Sequence, residues 1–420
     1  ENFNVNLSNA GGGNIGTGSV TTEIRDDGTG GPPGTDDDTP TINIAGPVLV
    51  NEGAGTITYT VTLSNPSTSA VTVDVATANG TAVAGSDFAA LSQSLTFNPG
   101  VTSQTVTVDI TNDNIFEGAE NFNVNLSNAG GGNIGTGSVT TEIRDDGTGG
   151  PPGTDDDTPT INIAGPVLVN EGAGTITYTV TLSNPSTSAV TVDVATANGT
   201  ATAGSDFTAL SQSLTFNPGV TSQTVTVDIT NDNIFEGAEN FNVNLSNAGG
   251  GNIGTGSVTT EIRDDGTGGP PGTDDDTPTL SVSSPSVTEG TDPHAVFTVS
   301  LSNPSDEDVS FNLVLNNGSA TNPADFGPGL EVFVGGTWVS ASSATIPAGT
   351  TSIQVRTPIV DDNLAEVNES FTLQANVTAG STTNASATGT ATIADNDTPT
   401  FAITGPVTVN EGAGTITYTV

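Results

Sequence analysis

Polar and apolar residues alternate one by one through most of this chain. Thr175 to Leu182 reads TITYTVTL, with threonine at every second position and an apolar residue between. That is the period-two pattern of a strand with one face in a core. Val190 to Val194 (VTVDV), Thr224 to Ile229 (TVTVDI) and Phe241 to Leu245 (FNVNL) follow the same rule. β-branched residues dominate these runs, and none has the 3.6 period of an amphipathic helix. Turn residues separate them: Ser183 to Ser186 (SNPS), Asn198-Gly199, Asn217 to Gly219 (NPG) and Asn247 to Gly251 (NAGGG). One unit therefore predicts seven strands at about 160–169, 175–183, 190–197, 209–216, 222–230, 239–246 and 252–263. Seven short strands at this spacing predict an all-β fold, an immunoglobulin-like seven-stranded antiparallel sandwich.

The pattern itself repeats. ENFNVNLSNAGGG begins at Glu1, Glu120 and Glu239, and residues 1–119 match 120–238 except at Val83/Thr202 and Ala89/Thr208. Such self-similarity predicts tandem sandwiches joined head to tail. The expected divisions are 1–27, the last two strands of a truncated repeat; 28–38, a linker; and 39–146, a full repeat. After these come 147–157, a linker; 158–265, a second repeat; 266–276, a linker; 277–397, a divergent repeat; and 398–420, the first two strands of another. The linkers carry DDGTGGPPGTDDD, in which glycine and proline forbid a continuous strand. Starting and stopping inside a repeat, the chain reads as a window on a longer array.

Composition narrows the function. Forty-seven acidic residues face four arginines and no lysine, for a formal charge of -43 over 420 residues. Such a field repels phosphate backbones and anionic lipid, which argues against nucleic-acid partners and membrane surfaces. No apolar run is long enough for a membrane-spanning helix, so no membrane insertion is expected in this window. Cysteine and methionine are absent, so there is no thiol chemistry and no methionine to oxidise, which suits an extracellular place.

The acids are not scattered. In an antiparallel sandwich successive loops alternate between two poles. Glu171 lies between the first and second strands, Asp206 between the third and fourth, and Asp232, Glu236 and Glu239 between the fifth and sixth. Asp264 and Asp265 leave the seventh. All fall at one pole, while SNPSTS, NPG and NAGGG fall at the other. Two unit charges about 4 Å apart at an effective dielectric near 20 repel by about 4 kcal/mol. Several such pairs oppose folding unless a cation sits among them. Oxygen donors without His or Cys favour Ca²⁺, which takes six to eight oxygens in flexible geometry, over Mg²⁺.

At these residues the unit resembles the Calx-beta domain, a repeat of sodium/calcium exchangers and of bacterial surface proteins. The matching segments are Val169–Ser183, Asn198–Phe207, Leu214–Ser246 and Ile262–Asp265, in the family's order and covering nearly the whole unit apart from the linker. The resemblance implies calcium ligands at Glu52, Asp87, Asp113, Glu117, Glu120, Asp145 and Asp146 in the first full unit. In the second it implies Glu171, Asp206, Asp232, Glu236, Glu239, Asp264 and Asp265. In the third it implies Glu289, Asp325, Asp362, Glu366, Glu369, Asp395 and Asp397. Asn112 and Asn114 around Asp113, and Gly118-Ala119, dilute the family's acidic run, which implies one or two ions per site and modest affinity. The linker splits the closing acidic triplet, so Asp145–Asp146 or Asp155–Asp157 completes the site; the nearer pair is the expectation.

The third unit replaces the region around its fourth strand with Ala324 to Gly349, containing the chain's one tryptophan, Trp338. A longer strand pair with Trp338 covering the core is expected, a ligand-contacting hairpin being the alternative. His294, next to a proline and not repeated, is expected in an exposed loop. An enzyme would need one concave site with differently tuned acids, whereas the same acids recur in every copy; no catalysis is expected. The function expected is structural, an extended extracellular stalk or filament stiffened by Ca²⁺ at each junction. Its partners are neighbouring repeats and identical chains. The alternative is a cell-surface adhesin whose repeats present a ligand-binding domain.

Overall fold

A computed structural model describes residues 1–25, 38–145, 157–264 and 276–420. An antiparallel pair comes first, β1 (Asn2–Asn6) and β2 (Ser19–Glu23). The first full unit then supplies β3 (Thr41–Ala45), β4 (Leu49–Asn51), β5 (Thr56–Leu63), β6 (Val71–Asn79), β7 (Ser92–Phe97), β8 (Ser103–Asp109), β9 (Glu120–Gly130), β10 (Asn133–Ile134) and β11 (Ser138–Arg144). They form two sheets, in the orders β10-β3-β5-β8 and β4-β11-β9-β6-β7. The second unit repeats both sheets strand for strand, from Thr160–Ala164 to Ser257–Arg263. Among the described residues no helix is long and apolar enough to cross a membrane.

The alternation sorts the side chains as the pattern demands. Ile57, Tyr59, Val61 and Leu63 of β5 point inward, as do Val71, Val73 and Val75 of β6, and the threonines between them face outward or lie half-buried. Both inner faces meet in one core, where the rings of Phe88 and Phe122 stack with centroids 4.3 Å apart. That offset contact adds to the area the rings bury.

The predicted first strand is in fact two. β3 pairs antiparallel with β5 in one sheet, whereas β4 pairs parallel with β11 in the other. The break is Gly46-Pro47. Proline has no N–H to continue a ladder, and a Cβ on Gly46 would lie 2.2 Å from Cδ1 of Tyr59. Thr141 donates to the Pro47 carbonyl (2.6 Å), so the buried Tyr59 hydroxyl donates to Thr141 (2.5 Å). A fully buried tyrosine thus clamps the switch between sheets, and that switch aims the chain at the acidic pole. The last predicted strand divides likewise into β10, parallel to β3, and β11.

The third unit departs from the other two. Glu331–Val334 and Thr337–Ser340 form a hairpin, but it joins the sheet of the second and fifth strands, against Ser352–Pro358. Ser343–Ile346 takes the place of the fourth strand beside Val309–Asn317. Val332, not Trp338, is the hairpin's core residue. Trp338 is half-buried on the surface, with the Arg356 guanidinium 4.3 Å above its ring and Phe333 5.1 Å away. Arg356 also pairs with Glu331 at 2.7 Å. The indole packs on the outer surface under the Arg356 guanidinium, beside the exposed Val339. His294 is not in a loop: it opens the strand His294–Leu301, half-buried opposite Pro358. Burial pushes its imidazole pKa down, with Arg356 adding to the effect.

Successive units touch through main-chain atoms. Phe116, half-buried in the loop after β8, donates its N–H to the carbonyl of Pro185 (2.9 Å) and accepts from the N–H of Thr187 (3.0 Å) in the next unit. Phe235 makes the same two bonds, to Pro304 and Asp306 (2.9 Å each).

Gly46→Ala is expected to destabilise the first unit by about 1–3 kcal/mol, because the added methyl must displace a packed tyrosine. Calorimetry should show one transition several degrees lower and the others in place; an unshifted profile would reject the Tyr59 clamp.

Candidate metal centre

Glu52 stands in a single 3-10 turn (Glu52–Ala54) directly after β4 and is 6 % exposed. Its Oε1 accepts the N–H of Asp113 (2.8 Å), and Asp113 Oδ1 accepts the N–H of Ile115 (2.8 Å). Asp145, buried at the exit of β11, accepts the N–H of Glu117 at Oδ2 (2.7 Å). The loop between β8 and β9 is therefore fastened at both ends to carboxylates. Asp87 accepts the N–H of Val83 (2.5 Å) and lies against Glu120, whose pKa it helps to raise.

The carboxylates gather in two groups. Glu52, Asp145 and Asp157 bring one oxygen each to within 4.8 Å of one another, and so do Asp87, Glu117 and Glu120. Five of these side chains, Glu52, Asp87, Glu117, Glu120 and Asp145, line one cavity of about 10 Å³, roughly the room a single water-sized body needs. The second unit repeats the pair of groups as Glu171/Asp264/Asp276 and Asp206/Glu236/Glu239. Asp232 donates its N–H to Glu171 and Glu236 to Asp264 (2.8 Å each). The third has Glu289/Asp395/Asp397. There Asp325 is hydrogen-bonded to Glu369, and the N–H of Glu366 reaches Asp395 (2.5 Å).

Of the expected ligands, Asp325, Glu366 and Glu369 lie outside these five groups, as do Asp113, Asp232 and Asp362, the last three each accepting the N–H two residues on within its own loop. Asp146 and Asp265 lie outside the described residues, as does most of each linker. Asp157 and Asp276 were not in the expected set, yet they stand where a third carboxylate is needed. Their signal was in the sequence: Asp157-Thr158-Pro159 and Asp276-Thr277-Pro278 repeat Asp397-Thr398-Pro399, which follows Asp395 at once.

The Calx-beta domain family matches this chain three times, over residues 35–147, 154–266 and 273–398. The chain belongs to the Calx-beta family. Curated relatives include Extracellular matrix protein 3 of Lytechinus variegatus, 33 % identical over 258 residues (58 % of this chain, 8 % of that protein). Sodium/calcium exchanger 1 of Rattus norvegicus is 38 % identical over 97 residues (23 % and 9 %). The chain thus spans under a tenth of the length of these relatives. Similar solved structures include CBD12 from CALX1.2 (20 % identity, 53 % of this chain, 99 % of that chain, TM-score 0.26) and the apo-form Calx CBD1 domain (28 %, 25 %, 96 %, 0.25).

The donor set of these Calx-beta units fits a hard divalent cation. Every donor in the five groups is a carboxylate oxygen, with no nitrogen or sulfur. In the third unit Glu289 is 5 % exposed, and neither its Oε1 nor Oδ2 of Asp397 has a hydrogen-bond partner. A buried oxygen without a partner is costly, and a cation among Glu289, Asp395 and Asp397 satisfies it. Bound there, the ion would supply positive charge and oxygen coordination.

Electrostatics tell the same story. Burial first, then neighbouring carboxylates, push Glu52, Glu117 and Glu120 up to about 7, and Glu236 up to about 8. Glu239 rises to about 7 chiefly through burial and Asp206, with Asp306 of the following unit contributing. Glu289 also rises to about 7. A raised carboxylate favours the folded state when protonated. Its contribution is intact below pH about 4.5 and is lost as pH rises through 7. The metal-free chain should therefore melt at a lower temperature at pH 8 than at pH 5, and calcium at pH 8 should restore it. Thermal melts in chelator that rise with pH over this range would contradict the reading.

Proposed function

We propose that this chain is a structural calcium-binding array, an extended extracellular stalk or filament in which Ca²⁺ at one pole of each sandwich stiffens the junction with the next. One observation carries the reading: Asp157, at the entrance of the second unit, stands within 4.8 Å of Glu52 and Asp145 of the first. An ion held there bonds two units at once. Beside it the Phe116 main chain clasps Pro185 and Thr187, so each junction has a polar clasp and an ionic one. Ligands drawn from Glu52, Asp87, Glu117, Glu120 and Asp145, and from their counterparts in the other units, fit one or two ions per pole. The likeness to an extracellular matrix protein over 258 residues supports the extracellular setting.

A second reading, an adhesin, is favoured by one feature. The hairpin of the third unit leaves Phe333, Val334 and Val339 exposed beside a cleft of about 520 Å³ that includes Ile353 and Pro347. In that case the array carries a ligand-contacting surface as well as a shaft.

Imaging the chain with calcium and with a chelator tests the first reading. Chelation should turn a stiff particle into a flexible one and lower its melting temperature. Unchanged stiffness and stability would reject the ionic clasp. Glu236→Gln with Glu239→Gln should weaken the calcium response of the second unit alone, read as one displaced calorimetric transition; no change would refute the ligand assignment. Phe116→Pro, which removes the N–H donated to Pro185, should loosen the first described junction while leaving each sandwich's melting transition nearly in place, since residue 116 lies outside the cores; scattering profiles identical to the parent's would reject the clasp.

A further inference from the structure

The third unit covers one sheet edge less completely than its neighbours do. In the first unit β7 covers β6 from Val71 to Ala76, and just beyond it Thr77 donates its N–H to the Leu91 carbonyl (2.9 Å). Thr196 and Leu210 repeat that bond at 2.9 Å in the second unit. In the third, Ser343–Ile346 covers Val309–Asn317 only from Val309 to Asn312, with a last bond from the Leu313 N–H to the Ser342 carbonyl (2.8 Å). There the chain leaves the sheet. Ala341 donates its N–H to Leu330 (3.1 Å), and Ser340 pairs with Glu331 in the hairpin of the other sheet.

Leu315 is left at an open edge. It stands where Thr77 and Thr196 stand in VTVDVATAN, the third unit reading VSFNLVLNN. Main-chain donors alternate sides along a strand, so the Leu315 N–H points the same way as that of Leu313, toward the place a longer fourth strand would fill. Among the described residues neither its N–H nor its carbonyl has a main-chain partner on that side. Beside it opens a cleft of about 660 Å³, within the range that holds bound ligands. Leu315, Phe326, Leu330 and Ala341 form its apolar wall, and Asn317 and Asn322 its polar end. None of the residues lining it is charged. An unpaired edge beside an apolar cleft accepts an added strand: main-chain bonds hold it, and alternate side chains fill the cleft.

We propose that the edge at Leu315 binds an extended segment of a basic partner polypeptide, which pairs with Leu315 and sets an apolar side chain into the cleft lined by Phe326 and Leu330. The neighbouring units show what fits. There a strand occupies the same edge, with the half-buried Leu91 or Leu210 packed against the core at its end. A side chain level with Leu315 shares its face, and Leu315 faces the core. The uncharged lining selects a segment that is uncharged where it pairs. Its flanks meet a chain with 47 acidic residues and four arginines, which attracts basic flanks and repels acidic ones. The site uses none of the carboxylate groups, so it stands apart from the calcium reading, and it is not the cleft beside Phe333.

The test is calorimetric binding to the whole chain of a capped peptide, leucine alternating with threonine between two arginine ends. Methylating its main-chain nitrogens one at a time should weaken binding roughly tenfold at every second position and within about twofold between them, since only alternate N–H groups reach the edge. Glutamate ends should weaken binding more at low salt than at high; equal binding with either kind of end would overturn the basic partner. Leu315→Pro removes a donor that the fold itself leaves unpaired, a place where proline is tolerated, and should weaken binding roughly tenfold. If that variant does not fold, Gly329→Trp carries the test. A Cβ at Gly329 meets nothing within 4 Å, so the indole obstructs the cleft without crowding the unit, and binding should fall by a similar factor. No binding by the intact chain, binding unchanged in the variants, or methylation effects without alternation would overturn the proposal and leave the calcium reading intact. Self-association of the chain that Gly329→Trp abolishes would assign the edge to a second copy and likewise overturn it.

Discussion

Mutual repulsion among carboxylates is the constraint around which each unit is organised. Glu52, Asp87, Glu117 with Glu120, and Asp145 come from four separate stretches of chain, and folding forces them around one small cavity. A sandwich does not need this; the apolar alternation alone would form it. Main-chain donors of Asp113 and Glu117 offset part of the cost by binding Glu52 and Asp145. The remainder appears as glutamates pushed up to about 7 and 8. The fold is thereby left with a deficit of positive charge at one defined place, and four arginines in the whole chain do not fill it. Arg144 and Arg263 pair with Glu142 and Glu261 on the sheet surface instead.

Much of this was legible in the sequence because strand alternation is a local rule with a global result. Thr175 to Leu182 marks a strand without reference to the rest of the chain, and counting strands assigns loops to poles. That reasoning placed Glu171, Asp206, Glu236 and Glu239 at one end, where the structure has them in two neighbouring groups. It did not foresee the split of the first strand, because Gly46-Pro47 reads locally as a turn, while its role depends on a tyrosine ring thirteen residues away. It favoured the nearer pair Asp145–Asp146 over Asp155–Asp157, whereas Asp157 joins Asp145 and Glu52, because distance along the chain does not fix separation in space. Trp338 was expected to cover the core of a longer strand pair; it lies instead on the surface beneath Arg356, a contact that the pattern of strands does not reveal.

The two kinds of inter-unit contact differ in their sensitivity to conditions. Carboxylate groups respond to pH, salt and divalent cations, as exposed and half-buried charges do. The phenylalanine clasp consists of two amide hydrogen bonds per junction, each worth about 1 kcal/mol net, and is indifferent to those variables. The clasp therefore does not depend on whether a cation occupies the carboxylates.

The clasp engages only main-chain atoms of the following unit. Thr187 occupies the receiving position in one junction and Asp306 in the other, and Phe116 and Phe235 bind both with nearly the same geometry. A joint that does not read side chains accepts any unit with the right backbone behind it. Whole units can then be gained, lost or exchanged by recombination without a compensating change next door. A copy that matches its neighbour at all but two of 119 positions and a diverged third unit are seated by the same two main-chain bonds.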